Sequence, residues 1–156
     1  LEEYFTGESK AWGVFEDRFG RLKRQFTVDI VGDWNGEQLV LTEDFVYDDG
    51  ETERRVWTIK PDGENTYVGS ADGVVGEARG AVNGQALNWT YDFDLKVKDS
   101  TIRVTFDDWM WLQPDGVLIN RAIVKKFGFE VGRATIFFKK ADAALAQTSE
   151  LQAAAE

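Results

Sequence analysis

The sequence predicts an all-β protein, an antiparallel up-and-down β-barrel built from one meander of short strands. Three observations carry this. Apolar and polar residues alternate over long segments, the period of strands with one buried face. Turn signals separate these segments, at Asn35-Gly36, Asn83-Gly84 and Pro114-Asp115-Gly116. The composition is aromatic-rich, with 6 Trp, 11 Phe and 4 Tyr, residues that suit pleated, half-buried surfaces. A meander of about eight to ten strands must close or stack to remove its edges. Closure into a barrel is the favoured solution, and a two-sheet sandwich is the alternative. At 156 residues a single domain is expected, with the barrel over 1–140 and an Ala-rich tail, helical or disordered, over 141–156.

The elements follow in order. Glu2 to Arg18 holds a short irregular segment and then a strand around Ala11 to Phe15. Arg21 to Asp48 reads as a hairpin about Asn35-Gly36. A two-residue loop there pairs Ile30 with Leu41, Val28 with Glu43 and Phe26 with Phe45. Phe26, Val28, Ile30, Leu39, Leu41 and Phe45 then share one face, and Glu43 falls in the middle of it. Asp48-Asp49-Gly50-Glu51 is a turn. Thr52 to Lys60 forms the next strand, with Trp57 and Ile59, and Asn65 to Ala71 a short one.

Val74 to Val97 repeats the hairpin about Asn83-Gly84, which places Gly80 against Leu87 and Ala78 against Trp89. Small residues thus lie under large ones. A turn at Asp99-Ser100 sets Tyr91 opposite Asp108, Trp89 near Met110 and Asp107 opposite Asp92. Asp108, like Glu43, falls on the apolar face. A three-residue loop at Pro114-Asp115-Gly116 pairs Met110 with Asn120 and Trp109 with Arg121, which points Asn120 inward and Arg121 outward; a two-residue loop reverses them. Phe127-Gly128-Phe129 makes a bend. Val131 to Lys139 is apolar on both faces at Ile136, Phe137 and Phe138, as in a strand covered on both sides.

Composition excludes several classes of chemistry. With 0 Cys and 0 His there is no disulfide, no thiolate and no imidazole base or metal ligand. The net charge of -10 repels phosphate backbones, so nucleic acid is not an expected partner. No apolar run reaches the about 18 residues of a membrane-spanning helix. The chain starts at Leu1 without Met, so a preceding segment is expected.

Two inward carboxylates stand out. Each needs a cation, several donors or a proton. They either anchor the polar group of a ligand or form a structural network with Arg54, Arg55 or Arg121, and an Arg or Tyr partner inside the barrel is expected for at least one. The pairs Glu43-Asp44 and Asp107-Asp108 cannot each form one site, because strand neighbours point to opposite faces. Asp48-Asp49 reads as turn chemistry. The EF-hand spacing is absent, since Phe45 sits where the first calcium ligand belongs, and no metal or cofactor is assigned. The candidate ligand-binding residues are Glu43, Trp57, Trp89, Tyr91, Asp108, Met110, Asn120 and Arg121.

Ala11 to Ile30 (AWGVFEDRFGRLKRQFTVDI), Leu41 to Ile59 (LTEDFVYDDGETERRVWTI), Ala86 to Leu95 (ALNWTYDFDL) and Phe106 to Gly132 (FDDWMWLQPDGVLINRAIVKKFGFEVG) resemble a bacterial lipoprotein family catalogued as domain of unknown function 3833. The resemblance runs from about Glu2 to Lys140, and its DDWM…LQPDGVLINRA stretch is specific. It implies a lipocalin-like protein of the bacterial cell envelope, on the periplasmic side, tethered by a lipidated Cys upstream of Leu1. The family's genes often lie near those of fatty-acid-modifying enzymes, which suits a lipid-related ligand. It implies no catalytic residues.

The leading expectation is a monomeric, calycin-like barrel that binds a fatty acyl chain, lipid or similar hydrophobic small molecule, with membrane association only through the upstream anchor. A filled barrel serving as a structural or interaction partner is the alternative. An enzyme comes third, because the carboxylates, Tyr and Lys form no recognisable catalytic constellation.

Overall fold

The computed structural model describes residues 1–141. A short helix α1 (Glu2–Phe5) precedes ten strands: β1 (Gly7–Asp17), β2 (Leu22–Trp34), β3 (Leu39–Tyr47), β4 (Thr52–Gly63), β5 (Thr66–Ser70), β6 (Val74–Asn83), β7 (Ala86–Val97), β8 (Ser100–Leu112), β9 (Val117–Lys126) and β10 (Phe129–Lys140). Every strand pairs antiparallel with its sequence neighbours, and β1 pairs with β10 from Ser9↔Lys140 to Asp17↔Gly132, so the sheet closes. Closure decides for the barrel over the sandwich. The helical tail expected over 141–156 lies, but for its first residue, outside the described residues.

The period-2 reading places side chains on the correct face throughout, but three hairpins pair two residues away from the expected register. At the first, Trp34 pairs with Leu39, which sets Ile30 opposite Glu43 and Val28 opposite Phe45. The reason is the Asn35 side chain. Its Oδ1 accepts the backbone N–H groups of Glu37 and Gln38, each at 2.9 Å, so the loop spans four residues and only Gly36 needs a left-handed φ, of 94°. At the second, Asn83 pairs with Ala86 and Gly84 leads the two-residue loop. Gly80 therefore lies against Trp89. A bulge between Val75 and Arg79 then restores the expected Val74↔Phe93 pair. At the third, Lys98-Asp99 forms the loop, with Lys98 at φ 55°, and Tyr91 meets Phe106 while Trp89 meets Asp108. Asp107 consequently faces Thr90, not Asp92.

The β8–β9 connection behaves as expected: Met110 pairs with Asn120 and Trp109 with Arg121. The expected double-sided burial of β10 does not hold. Phe138 is buried inside, whereas Phe137 points outward and is 47% exposed, because no described residue covers the outer face of the barrel there.

Strand direction gives the barrel two different ends. The loops 35–38, 84–85 and 113–116 lie at one end with α1. This end is closed. Phe5 is buried against Phe138 with ring centroids 5.7 Å apart, and the Phe5 carbonyl occupies the space that a Cβ on Gly32 would need. Tyr4 Oη donates to Gly116 O at 2.8 Å, Tyr67 Oη donates to Glu2 Oε2 at 2.9 Å, and Lys140 Nζ donates to Tyr4 O and Thr6 O, each at 2.6 Å. The loops 18–21, 48–51, 71–73, 98–99 and 127–128 surround the other end, which is the mouth.

Candidate ligand cavity

Small residues under large ones shape the interior. A Cβ on Gly80 or Gly69 would collide with the Trp89 ring, and one on Gly73 with Phe93. Bare backbone at these places lets the rings lie flat against the wall and leaves the axis of the barrel free. The result is a cavity of about 810 Å³ that runs from Leu1 and Phe5 at the closed end to Glu51 and Leu95–Val97 at the mouth. Its wall is mainly apolar and rich in aromatic rings. Trp57 packs edge-on against Trp89 and Tyr91, at 5.8 and 5.1 Å, and Tyr91 stacks on Phe106 at 5.1 Å.

Seven of the eight sequence candidates line this cavity together: Glu43, Trp57, Trp89, Tyr91, Asp108, Met110 and Asn120. Arg121 does not. Its pairing with Trp109 turns it to the outer face, where its guanidinium lies over Trp111 at 5.3 Å. Asn120 is buried and its Nδ2 donates to Trp109 O at 3.0 Å, so its amide is held in place at the cavity wall.

The expected Arg or Tyr partner bonded to an inward carboxylate is not found among the described residues. Arg55 pairs in register with Glu43 across β3 and β4, but its ion pair goes to Glu53, at 2.8 Å. Arg54 points outward and holds Asp44 with two hydrogen bonds, at 2.7 and 3.0 Å. Asp108 is buried and its Oδ1 has no hydrogen-bond partner among the described residues. Without such a bond, burial draws both carboxyls toward their protonated forms. Burial pushes Glu43 up to about 7, against the pull of the nearby Arg55 charge. Burial pushes Asp108 further, to about 8, helped by the negative charges of Asp107 and Glu43. The same burial raises the Tyr91 hydroxyl well above its ordinary range. Burial alone would weaken the Arg55 charge; Tyr91, Glu53 and Glu43 more than restore it.

The cavity therefore offers three kinds of contact: an apolar aromatic wall, a permanent cation at Arg55, and carboxyls at Glu43 and Asp108 able to donate or accept according to their proton. The sequence names Arg55 only as a possible network partner of the carboxylates, and it does not single out Glu53. Strand parity could have found both, because Glu53 and Arg55 share a face with Trp57 and Ile59. At the mouth, Arg24 lies over the Tyr47 ring at 3.6 Å and bonds Glu51 at 2.9 Å.

Comparison with known proteins supports the fold and the family. The model of a family described as "Protein of unknown function (DUF3833)" matches residues 1–140. No curated protein matches the sequence. Among solved structures, the S-type phycobiliprotein lyase CPES from Guillardia theta has a similar fold, with a TM-score of 0.62, 12% identity and 89% of each chain covered.

Proposed function

This chain belongs to the DUF3833 family, and from the interior of its lipocalin-like barrel we propose that it binds an elongated, mainly apolar small molecule, such as a fatty acyl chain or lipid, without transforming it. One observation carries this reading: the barrel is not filled. A cavity of about 810 Å³ is in the range of small-molecule sites, about 300–1,000 Å³, and shares their pattern of apolar walls with a few placed polar groups. Such a volume weighs against a filled structural barrel. The phycobiliprotein lyase shares only the fold at its level of identity, so it supports the barrel and leaves the ligand to be argued from the wall.

The polar groups define how the ligand sits. Its chain lies along Trp57, Trp89, Phe93 and Phe106. Its polar end supplies a hydrogen-bond donor to the unpaired Asp108 Oδ1, or an acceptor to the Asp108 proton. A free carboxylate at the same depth would face Glu43 and Asp108, so we place a fatty acid's carboxylate toward Arg55 or the mouth.

The reading extends to a monomer on the periplasmic side of a bacterial envelope, tethered upstream of Leu1; the family resemblance supports this. Leu1 lies at the closed end, so a tether there attaches away from the mouth. Native mass spectrometry of the purified protein tests the proposal. A co-purifying hydrophobic adduct is expected; absence of any adduct, together with no uptake of acyl, sterol or isoprenoid compounds, would overturn it.

A further inference from the structure

We propose that the mouth of the barrel docks on an anionic lipid surface through the tips of the β1–β2 and β9–β10 hairpins. These four strands are consecutive around the barrel, in the order β9-β10-β1-β2, and both tips lie at the mouth. They are therefore neighbours at the same end of the barrel.

Both tips expose aromatic rings that contribute nothing to the core. Phe19 is 67% exposed, Phe127 87% and Phe129 76%, with Leu22 exposed beside them. Phe127 is also placed against its backbone preference. Its φ is +53°, a conformation that a bulky side chain adopts only at a cost and that Asn or Gly would accept more readily. A strained and fully displayed Phe has no folding rationale, and strain of this kind points to a use outside the fold.

The cations follow the rings. The first tip reads Arg18, Phe19, Gly20, Arg21, Leu22, Lys23 and the second Lys125, Lys126, Phe127, Gly128, Phe129, with no acidic residue in either run. Arg18 and Arg21 lie over Phe19 at 4.7 and 5.6 Å, and Lys126 lies over Phe127 at 4.7 Å. None of these three has an ion-pair partner among the described residues. Of the nearby acids, Asp17 accepts the N–H groups of Phe19 and Arg21 and pairs with Lys23 within the tip, Glu130 pairs with Arg133, and Glu16 lies beside Gly20. In a chain of net charge -10 this is a local reversal of sign. The rim across the mouth is acidic, with Asp48, Asp49, Glu51 and Asp72. Exposed rings with cations around them match the boundary between headgroups and acyl chains, where aromatic rings insert and Lys or Arg meet anionic headgroups. A nucleic acid would instead meet the acidic remainder of the surface.

The inference stands on the tips and not on the contents of the cavity. Co-sedimentation with vesicles tests it, comparing phosphatidylcholine with a phosphatidylcholine–phosphatidylglycerol mixture at low and high salt. Tighter binding to the anionic vesicles, weakened by salt, is expected. The triple variant Phe19→Ser, Phe127→Asn, Phe129→Ser should lose at least about tenfold in vesicle affinity. The charge reversal Arg18→Glu, Arg21→Glu, Lys126→Glu should do the same. Phe127→Asn alone should weaken vesicle binding while raising the urea midpoint, a combination that a merely structural Phe cannot give. Failure to sediment with anionic vesicles, or binding that survives both triple variants, would overturn the proposal. So would binding to natural membranes that pure lipid vesicles do not reproduce, which would assign the tips to a protein partner. Ala122 lies opposite Asp108 in the cavity wall; Ala122→Phe, which narrows the cavity, should leave vesicle binding intact, so failure of the docking and failure of the ligand reading can be told apart.

Discussion

Arg55 faces Glu43 in register across β3 and β4, yet it ion-pairs with Glu53, two residues before it on its own strand, at 2.8 Å. The Glu53 charge works on Glu43 twice. It repels the Glu43 carboxylate directly, and it holds the Arg55 guanidinium, whose charge already favours ionisation, away from a direct bond to Glu43. Burial is the larger cause, and the Glu53 charge adds to it in bringing Glu43 up to about 7.

Glu53→Gln should therefore lower the pKa of Glu43. The replacement removes the repulsion and frees Arg55 to turn toward its cross-strand neighbour. Carboxyl carbon chemical shifts followed through a pH titration measure this directly. An unchanged or raised Glu43 titration would mean that Arg55 does not control it.

Asp108 sets a dependence of stability on pH. Its folded-state pKa, about 8, lies above its ordinary value of 3.8. Between these values the folded chain holds a proton that the unfolded chain has lost. Stability from this group is full below about pH 4, falls as the pH rises, and levels off above about pH 8. Glu43 adds to the same slope over the lower part of the window. Asp108→Asn, which keeps the shape and cannot ionise, should flatten the fall and raise stability at pH 9 by on the order of a few kcal/mol. Urea unfolding at a series of pH values checks it; a slope equal to the parent's would contradict a buried, protonated Asp108.

Asp107 provides the contrast. It points outward, accepts Asn88 Nδ2 at 2.9 Å and lies 3.7 Å from Lys125. Asp107→Ala should change stability by no more than about 1 kcal/mol, in the range of one part-buried hydrogen bond and a partly exposed ion pair, and should make the fall with pH somewhat shallower, because the Asp107 charge helps hold the Asp108 pKa up. The same unfolding experiment reads both variants.

Gly80→Ala tests the packing that opens the cavity. A Cβ there would collide with Trp89 and lie 3.0 Å from Asn88 O. The ring must tilt into the cavity or the strand must shift, and overpacking of this kind costs about 1–3 kcal/mol. The tryptophan emission should change with the loss of stability. Unaltered stability and emission would show that Trp89 is free to move.

The sequence carried the face of nearly every strand residue, because a two-residue slip in pairing leaves the period-2 sorting untouched. Parity alone therefore puts Glu43, Asp108 and Asn120 inside, whereas the neighbours of Glu43 and Asp108 differ from those a short loop implies. Their neighbours depend on turn chemistry. The side chain of Asn35 builds a longer loop where Asn-Gly alone suggests the shortest one. Arg121 was placed outward by one loop length and inward by another, and the Met110↔Asn120 pair settles it. Strand parity also made Arg55 readable as an inward cation, but its choice of Glu53 over Glu43 is a matter of side-chain geometry that spacing does not encode. The open interior was least legible. It depends on which small residue lies under which large one, and a slip of two residues moves Trp89 from Ala78 to Gly80.

The most direct test of the cavity as a ligand site is a fluorescence titration with a fluorescent fatty acid, following energy transfer from the cavity tryptophans Trp57 and Trp89. Saturable transfer at micromolar concentration is expected, with Ala122→Phe weakening it by narrowing the cavity. Transfer that never saturates, or that is the same in Ala122→Phe, with no saturable binding of sterol or isoprenoid probes either, would contradict the account.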